Sequence, residues 1–412
     1  MMKALVISPQ PFFSYRGTPL SVYYRTLMMA ELGVQVDLLT YGEGQNVDIP
    51  GVRIIRIPRF KLLGNVSIGP SRLKLFLDIF ITLWAIGLLF KNRGKHRYQF
   101  VHTHEEAVFI GCVLKPLFRF KLIYDMHSSL PEQLINFKFT TSQFLINFFK
   151  RLEAASLQTS DAIITVCPSL YDYATGIVGS SERVALIENS IFEEIQLAGK
   201  RDRPPVFHQY WHQKRWIVYA GTLEPYQGID ILIQAFQRLL VADQHLMLMI
   251  VGGTPAQVKQ YAELAVQLGL EQHCHFTGRV SPNEARYYSS RAAVQISCRI
   301  SGTNVPLKIY ELLASGIPMV ATKIPAHTQI LNDDIAFMVN PNPEDMVKGI
   351  QAALATDGAG QHRAANAQRF YDRHYARRFY KEKLQQVLDD LHLAPNSRAS
   401  SLARLTRLTS SR

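Results

Sequence analysis

Short apolar runs alternate along the chain with longer stretches in which apolar residues recur every three to four positions, the pattern of strands alternating with helices. Residues 3–8 read as a strand that stops at Pro9. A loop over 9–19 follows, helical spacing resumes over 20–32 and stops at Gly33, and a second strand covers 34–40. This βαβ opening makes its two strands parallel. Further strands are expected at 52–58, 100–103, 121–126, 161–167 and 183–187. A polar, basic segment over 198–215, carrying Pro204 and Pro205, reads as a linker. The rhythm then restarts with strands at 216–220, 245–251, 274–277, 293–297, 318–322 and 336–340. Helical spacing falls at Ile229, Leu232, Ile233, Phe236 and Leu239, again over 344–354, and in one long amphipathic segment over 363–391. A length of 412 residues suits two such domains.

Two stretches depart from the rhythm. Arg72 and Lys74 precede the apolar run 75–90, which contains Asp78, and Lys91, Arg93, Lys95 and Arg97 follow it. The run is shorter than the ~20 apolar residues of a spanning helix. It suits either a crossover helix that is apolar because it is mostly buried, or a helix that dips one face into a bilayer with its flanking bases on anionic headgroups. The segment 137–151 repeats the theme, with Phe139, Phe144, Leu145, Ile146, Phe148 and Phe149 beside Lys138, Lys150 and Arg151.

The densest chemistry lies in 299–322, RISGTNVPLKIYELLASGIPMVAT. Thr303 and Asn304 are good N-cap residues, Pro306 suits a first helical turn, and Gly316 with Pro318 ends the helix ahead of a buried strand. Ile309, Leu312 and Leu313 share one face; Lys308, Glu311 and Ser315 share the other. A lysine in a first turn opposes the helix dipole unless an anion sits there too. Arg299 and the loop Ser301, Gly302 and Thr303 can add donors, and Glu311 can accept two vicinal hydroxyls of a ribose. The stretch therefore suits a clamp for a nucleoside diphosphate. The same spacing also suits a surface helix with a solvated Lys–Glu pair.

Charge narrows the partners. Lys+Arg 45 against Asp+Glu 33 gives +12 and a pI near 9.5, which favours nucleic acid, an anionic membrane surface or phosphorylated substrates. Zinc-finger spacing, RNP-like aromatics and a helix-turn-helix are all missing, so no nucleic-acid partner is expected. Cys112, Cys167, Cys274 and Cys298 are widely spaced and read as buried thiols in a reducing, cytoplasmic compartment. The start MMKALVIS runs straight into a strand without a signal-peptide pattern. His104, Glu106, Asp125 and His127 follow strands at a sheet's carboxyl edge, where open α/β folds bind ligands. They lack a metal-ligand spacing, so no metal is expected.

The segment PLKIYELLASGIPMVAT resembles the donor-site segment of family 4 glycosyltransferases, the group 1 glycosyltransferases. The resemblance implies the GT-B variety of α/β fold, two Rossmann-like domains facing a central cleft. Residues 1–198 would be the acceptor-binding domain and 199–369 the nucleotide-sugar domain, a C-terminal helix near 370–392 would return to the first, and 395–412 would form a disordered basic tail. The family's roles pass to Lys308 on the diphosphate and Glu311 on the ribose. The family's E-x7-E motif is incomplete, because Thr303 occupies the first acidic position; it lies in SGTN, which precedes PLKIY. YDMHSSLP resembles the segment that brings a histidine towards the donor sugar, which nominates His127 as an active-site contact. The loop 221–228, opening at Gly221, resembles the second phosphate loop with Tyr226 and Gln227 where a cation is common, shifting the diphosphate charge to Arg299 and Lys308. The backbone at Val280 would read the base, Gly302, Thr303 and Asn304 would line the donor, and Arg16 and Gly17 would lie on the acceptor loop. The implied activity is retaining, metal-independent hexosyl transfer without a cofactor, from a UDP- or GDP-linked sugar to a glycan or lipid-linked acceptor, with peripheral attachment to the inner face of the cell membrane. A nucleotide-sugar epimerase and a non-catalytic GT-B subunit are the alternatives.

Overall fold

A computed structural model describes residues 2–14, 17–60, 72–131, 134, 142–189 and 214–391. They form two compact units. One holds the described residues up to Asn189 together with the helix Arg377–Asp390; the other holds those from Lys214 to Ala376.

The first unit is built on a seven-stranded sheet in the order β3-β2-β1-β4-β5-β6-β7. Its strands are β1 Met2–Ser8, β2 Val34–Thr40, β3 Val52–Arg56, β4 Phe100–His104, β5 Lys121–Met126, β6 Ala162–Thr165 and β7 Val184–Leu186. Every pairing is parallel; Val6, for example, lies between Leu38 and His102. Burial on both faces explains why these strands read as continuous apolar runs. Helices α1 Gly17–Glu31, α2 Arg72–Lys91, α3 Ala107–Phe118 and α4 Gln143–Thr159 supply much of the cover. The first helix begins at Gly17, earlier than its spacing suggests, because Pro19 fits a first turn whose N–H groups need no partner. Gly17 is thus helical, not part of the loop, and Arg16 lies outside the described residues.

The second unit has a six-stranded parallel sheet in the order β10-β9-β8-β11-β12-β13. Its strands are β8 Arg215–Ala220, β9 Leu246–Val251, β10 Cys274–Gly278, β11 Val294–Ser297, β12 Met319–Thr322 and β13 Phe337–Val339. Its winding repeats that of the first six strands of the other sheet. Each unit is thus a Rossmann-like α/β layer structure, the fold class implied by the resemblance. In each, the strand order reverses direction next to its first strand, and such switch points open a crevice at the carboxyl edge. The core joins Ile217, Tyr219 and Ile250 of the sheet to Ile229, Leu232 and Phe236 of the helix Ile229–Ala242.

Two expectations need correction. The segment 363–391 is two helices, Ala359–His374 and Arg377–Asp390. The chain breaks where Tyr375 turns its ring onto Tyr310 and Phe370, at 5.0 and 5.6 Å. The second helix belongs to the first unit, where Lys381 meets Glu31 at 3.1 Å and Lys383 meets Glu188 at 2.6 Å.

Burial does not account for the apolarity of α2. A stripe of Leu77, Ile81, Ala85 and Leu89 packs into the core. Asp78 accepts a hydrogen bond from the Tyr41 hydroxyl at 2.6 Å, and burial pushes its carboxyl up to about 6. Leu75, Ile79, Leu83 and Phe90 remain exposed, Leu75 at 63% and Leu83 at 55%. By length and composition the helix could cross a membrane. It packs through one stripe, with Leu73, Phe80, Ile86 and Leu88 partly buried beside it, and leaves a second, apolar face exposed among the described residues.

Candidate functional site

The switch point of the second sheet falls between β8 and β11, and the candidate donor residues gather there. β8 runs out into Gly221 and the loop to Gly228; β11 runs out into Cys298 and Arg299. The two loops are joined: Ile300 N donates to Tyr226 O at 2.9 Å and Cys298 Sγ to Gln227 O at 3.1 Å. Gly252, at φ +117°, follows β9 where any Cβ would overlap the Gly221 carbonyl, so only glycine lets these two loops touch. Its N–H donates to Gly278 O at 2.9 Å. Val280, two residues on, packs against the cluster of Trp216, Val218 and Met249. Gly221 and Val280 therefore lie on loops of the same carboxyl edge.

Arg299 organises the loop that follows. Its Nε donates to Ser301 O at 2.6 Å and its Nη1 to Asn304 O at 3.3 Å. Gly302, at φ +116°, lies directly against the guanidinium, which occupies the space of a Cβ. The Thr303 carbonyl accepts from Gln329 Nε2. With its carbonyls tied to Arg299, this loop cannot enter a helix at Thr303 or Asn304, and neither residue caps one. The helix is Lys308–Ala314, with Leu307 at its N-cap position and no side-chain cap. Ile309 N and Tyr310 N already donate to Pro306 O and Leu307 O, at 2.9 and 3.3 Å. A seven-residue helix with its first N–H groups committed offers an anion little, so anion binding here rests on the side chains. The helix ends as expected, with Gly316 at φ +71° ahead of β12.

The ring of Tyr226 lies 5.0 Å from the Arg299 guanidinium, at the position where the family commonly has a cation. Lys308 Nζ sits 4.0 Å from the Tyr219 ring centre. Its ammonium is buried without a hydrogen-bond partner among the described residues, and burial, reinforced by Arg299, lowers its pKa to about 8. Burial likewise lowers the Arg299 pKa. Glu311 does not pair with Lys308; its carboxylate is 40% exposed and lies 3.8 Å from Arg286. A solvated Lys–Glu pair is thus ruled out. Two cations drawn out of water, one without an acceptor, are costly to hold without an anion.

His127 belongs to the first unit, just past the end of β5, and is nearly buried. It joins a cluster of which sequence reading had grouped His104 and Asp125 but missed Arg25 and His102. Arg25 Nε donates to Asp125 Oδ2 at 2.9 Å with both side chains 0% exposed, and its guanidinium lies 4.9 Å from the Tyr380 ring centre. His102 Nε2 lies 3.0 Å from Asp125 Oδ2, and His127 Nε2 lies 3.3 Å from Oδ1. Potential ligand atoms of His102, His104 and Asp125 fall within 4.8 Å of one another. Glu106, weighed with them from sequence, pairs with Lys74 at 3.7 Å. The Arg25 guanidinium already compensates Asp125, and adding a metal cation would bury a second, unbalanced positive charge. The cluster was legible in two signals. Arg25 interrupts the buried stripe Val22, Arg25, Met29 of α1, and the alternation in β4 puts His102 and His104 on one side.

Residues 207–370 match the family described as "Glycosyl transferases group 1", and residues 25–190 match "Glycosyl transferase 4-like domain". A D-inositol 3-phosphate glycosyltransferase of Corynebacterium efficiens is 24% identical over 321 residues, covering 72% of either chain. A phosphatidyl-myo-inositol mannosyltransferase of Mycobacterium tuberculosis is 27% identical over 154 residues, 36% of this chain and 38% of that one. The crystal structure of Anabaena HepE in complex with UDP-glucose superposes with a TM-score of 0.68 at 14% identity, covering 96% of this chain and 100% of that chain.

Proposed function

The chain belongs to the group 1 glycosyltransferases, and from that premise we propose that it moves a hexose, with retention at the anomeric carbon, from a nucleoside-diphosphate sugar to a lipid-linked acceptor at a membrane surface. The observation that carries the donor half is Lys308, a buried ammonium with no acceptor among the described residues, beside a second partly buried cation, Arg299. As the bond from the anomeric carbon to the diphosphate breaks, negative charge grows on the leaving phosphate, and fixed cations lower that barrier. The acceptor oxygen bonds to the same face of that carbon, and its proton passes to the departing phosphate oxygen. No metal or cofactor enters this scheme. Glu311 would accept the ribose hydroxyls, Gly302, Thr303 and Asn304 would border the donor, and His127 would contact the transferred sugar.

UDP is the first nucleotide to test, because HepE was solved with UDP-glucose. Calorimetric titration of the full chain is expected to give micromolar binding for UDP and at least tenfold weaker binding for GDP. The reverse order would make the donor guanine-linked. Binding of neither would overturn the donor site and bring the non-catalytic alternative forward.

The acceptor half rests on an uncovered face. Alongside α2, α3 exposes Val113 and Leu117, the latter at 73%, and α4 exposes Leu145, Phe148 and Phe144, the last at 81%. These helices are neighbours, with Phe90 against Phe118 at 5.1 Å. Lys91 and Arg93 close one end of α2, and Lys150 and Arg151 lie on α4. Apolar area ringed with bases suits an anionic bilayer. The name of the mycobacterial relative, a phosphatidyl-myo-inositol mannosyltransferase, supports a lipid acceptor. The protein is expected to sediment with phosphatidylcholine vesicles containing phosphatidylglycerol, and much less with pure phosphatidylcholine. The double variant Ile79→Ser, Leu83→Ser should cut the bound fraction about tenfold, from the lost burial of two large side chains. Unchanged sedimentation of that variant would remove this face from the proposal.

A further inference from the structure

The donor chemistry makes no use of the proton arrangement buried around Asp125, yet that arrangement defines what His127 can do. The groups facing one another are Arg25 of α1, His102 and His104 of β4, Asp125 of β5, His127 just beyond it, and Tyr380 of the helix Arg377–Asp390. Asp125 is anionic: Arg25 offsets its burial and holds its carboxyl well below the usual range. An anionic carboxylate only accepts, so His102 must donate to it from Nε2. His102 Nδ1 then carries no proton, which fits its burial without a partner.

His104 poses the same choice. Its Nδ1 lies 3.1 Å from His127 Nε2 and 3.5 Å from Asp125 Oδ2, and its Nε2 is buried with no partner among the described residues. Burial keeps His104 neutral, so it has one N–H. Placing that hydrogen on Nε2 would bury an unsatisfied donor, an arrangement folded proteins rarely tolerate. Placing it on Nδ1 leaves only a lone pair unsatisfied, as in His102. The opposing effect is the approach of the His127 Nε2 lone pair to Asp125 Oδ1 at 3.3 Å. That repulsion is weakened because Arg25 donates to Oδ2 at 2.9 Å and lies 3.5 Å from Oδ1.

We propose that His104 is a positioning residue that donates from Nδ1 into His127 Nε2, so that the N–H of the His127 ring lies on Nδ1. His127 then presents an N–H from Nδ1 and cannot serve there as a general base; it orients a partner by donating. The proton placement stands on the geometry of this cluster. Its consequence for turnover, a donor hydrogen bond to a sugar oxygen, rests on the transferase function proposed above.

The test reads the tautomer directly. Full-length protein labelled with 15N-histidine is studied by long-range 1H–15N correlation at about pH 8, above the ordinary imidazole range. The His127 signals are assigned from the spectrum of His127→Gln. The expected result is a protonated Nδ1 and an unprotonated Nε2 in the wild type. His104→Phe removes the donor, and the His127 proton should move to Nε2, where Asp125 Oδ1 can accept it. An Nε2–H tautomer in the wild type would overturn the proposal without any variant. An unaltered Nδ1–H tautomer in a folded His104→Phe protein would overturn the role of His104. Neither readout depends on turnover, so each is separable from failure of the proposed activity.

Discussion

Lys308→Met is expected to abolish nucleotide binding and, in the absence of nucleotide, to make the protein more stable. Both effects follow from one buried ammonium. Its pKa falls from 10.5 to about 8 on folding, a difference worth about 3 kcal/mol at neutral pH. A lysine with a lowered folded-state pKa binds fewer protons folded than unfolded between those two values. Stability therefore rises with pH across about 8 to 10.5, and the full cost is present below that window. Methionine keeps the length and packing of the stem and removes the charge. The variant should gain up to about 3 kcal/mol near pH 7, less about 1 kcal/mol for the lost contact with the Tyr219 ring. Its stability should be flat across the window in which the wild type improves. Calorimetry should show no heat with UDP, and turnover should fall by about 10²–10³, the usual cost of removing one stabiliser of transition-state charge. Retained UDP binding, or a lower unfolding midpoint in the variant, would show that the ammonium is not held for an anion.

The second large effect is on the first unit. Arg25→Met leaves Asp125 buried without the guanidinium that pairs with it. Breaking a buried ion pair from one side costs about 3–5 kcal/mol, so urea denaturation should show a midpoint reduced by that equivalent. Arg25→Met with Asp125→Leu removes both charges and should recover most of the loss. Acid should act on the same cluster. Burial lowers the pKa of His102 and His104, so the unfolded chain binds protons there that the folded chain refuses. Stability should fall as pH drops below the ordinary imidazole range, by about 1.4 kcal/mol per pH unit for each histidine. An Arg25→Met midpoint equal to the wild type would mean that the pair carries no net electrostatic weight.

The βα rhythm was readable because strands buried on both faces have no alternative to continuous apolar runs; every expected strand appears within two residues of its place. Lys308, Glu311 and Arg299 were readable because a charge in an otherwise apolar frame needs a reason. Local pattern misjudged what distant residues supply. Thr303 and Asn304 look like caps, but Arg299 had already taken the loop carbonyls. Tyr226 stands where a cation was expected, and only the fold shows that Arg299 lies 5.0 Å from its ring centre. The apolar run of α2 suited either a buried crossover helix or a helix with one face in a bilayer, and only the packing of Leu77, Ile81, Ala85 and Leu89 separated a buried stripe from an exposed one.

The sequence alone determined the two α/β units and the family, since period, punctuation and a short run of spaced polar residues are local properties. The tertiary structure decided which charges are paired. Arg25 and Asp125 stand 100 residues apart, Tyr219 and Lys308 come from different elements, and the histidines of β4 meet His127 only across neighbouring strands. Electrostatic energy depends on distance and burial in space, and neither is written in the spacing of residues along a chain.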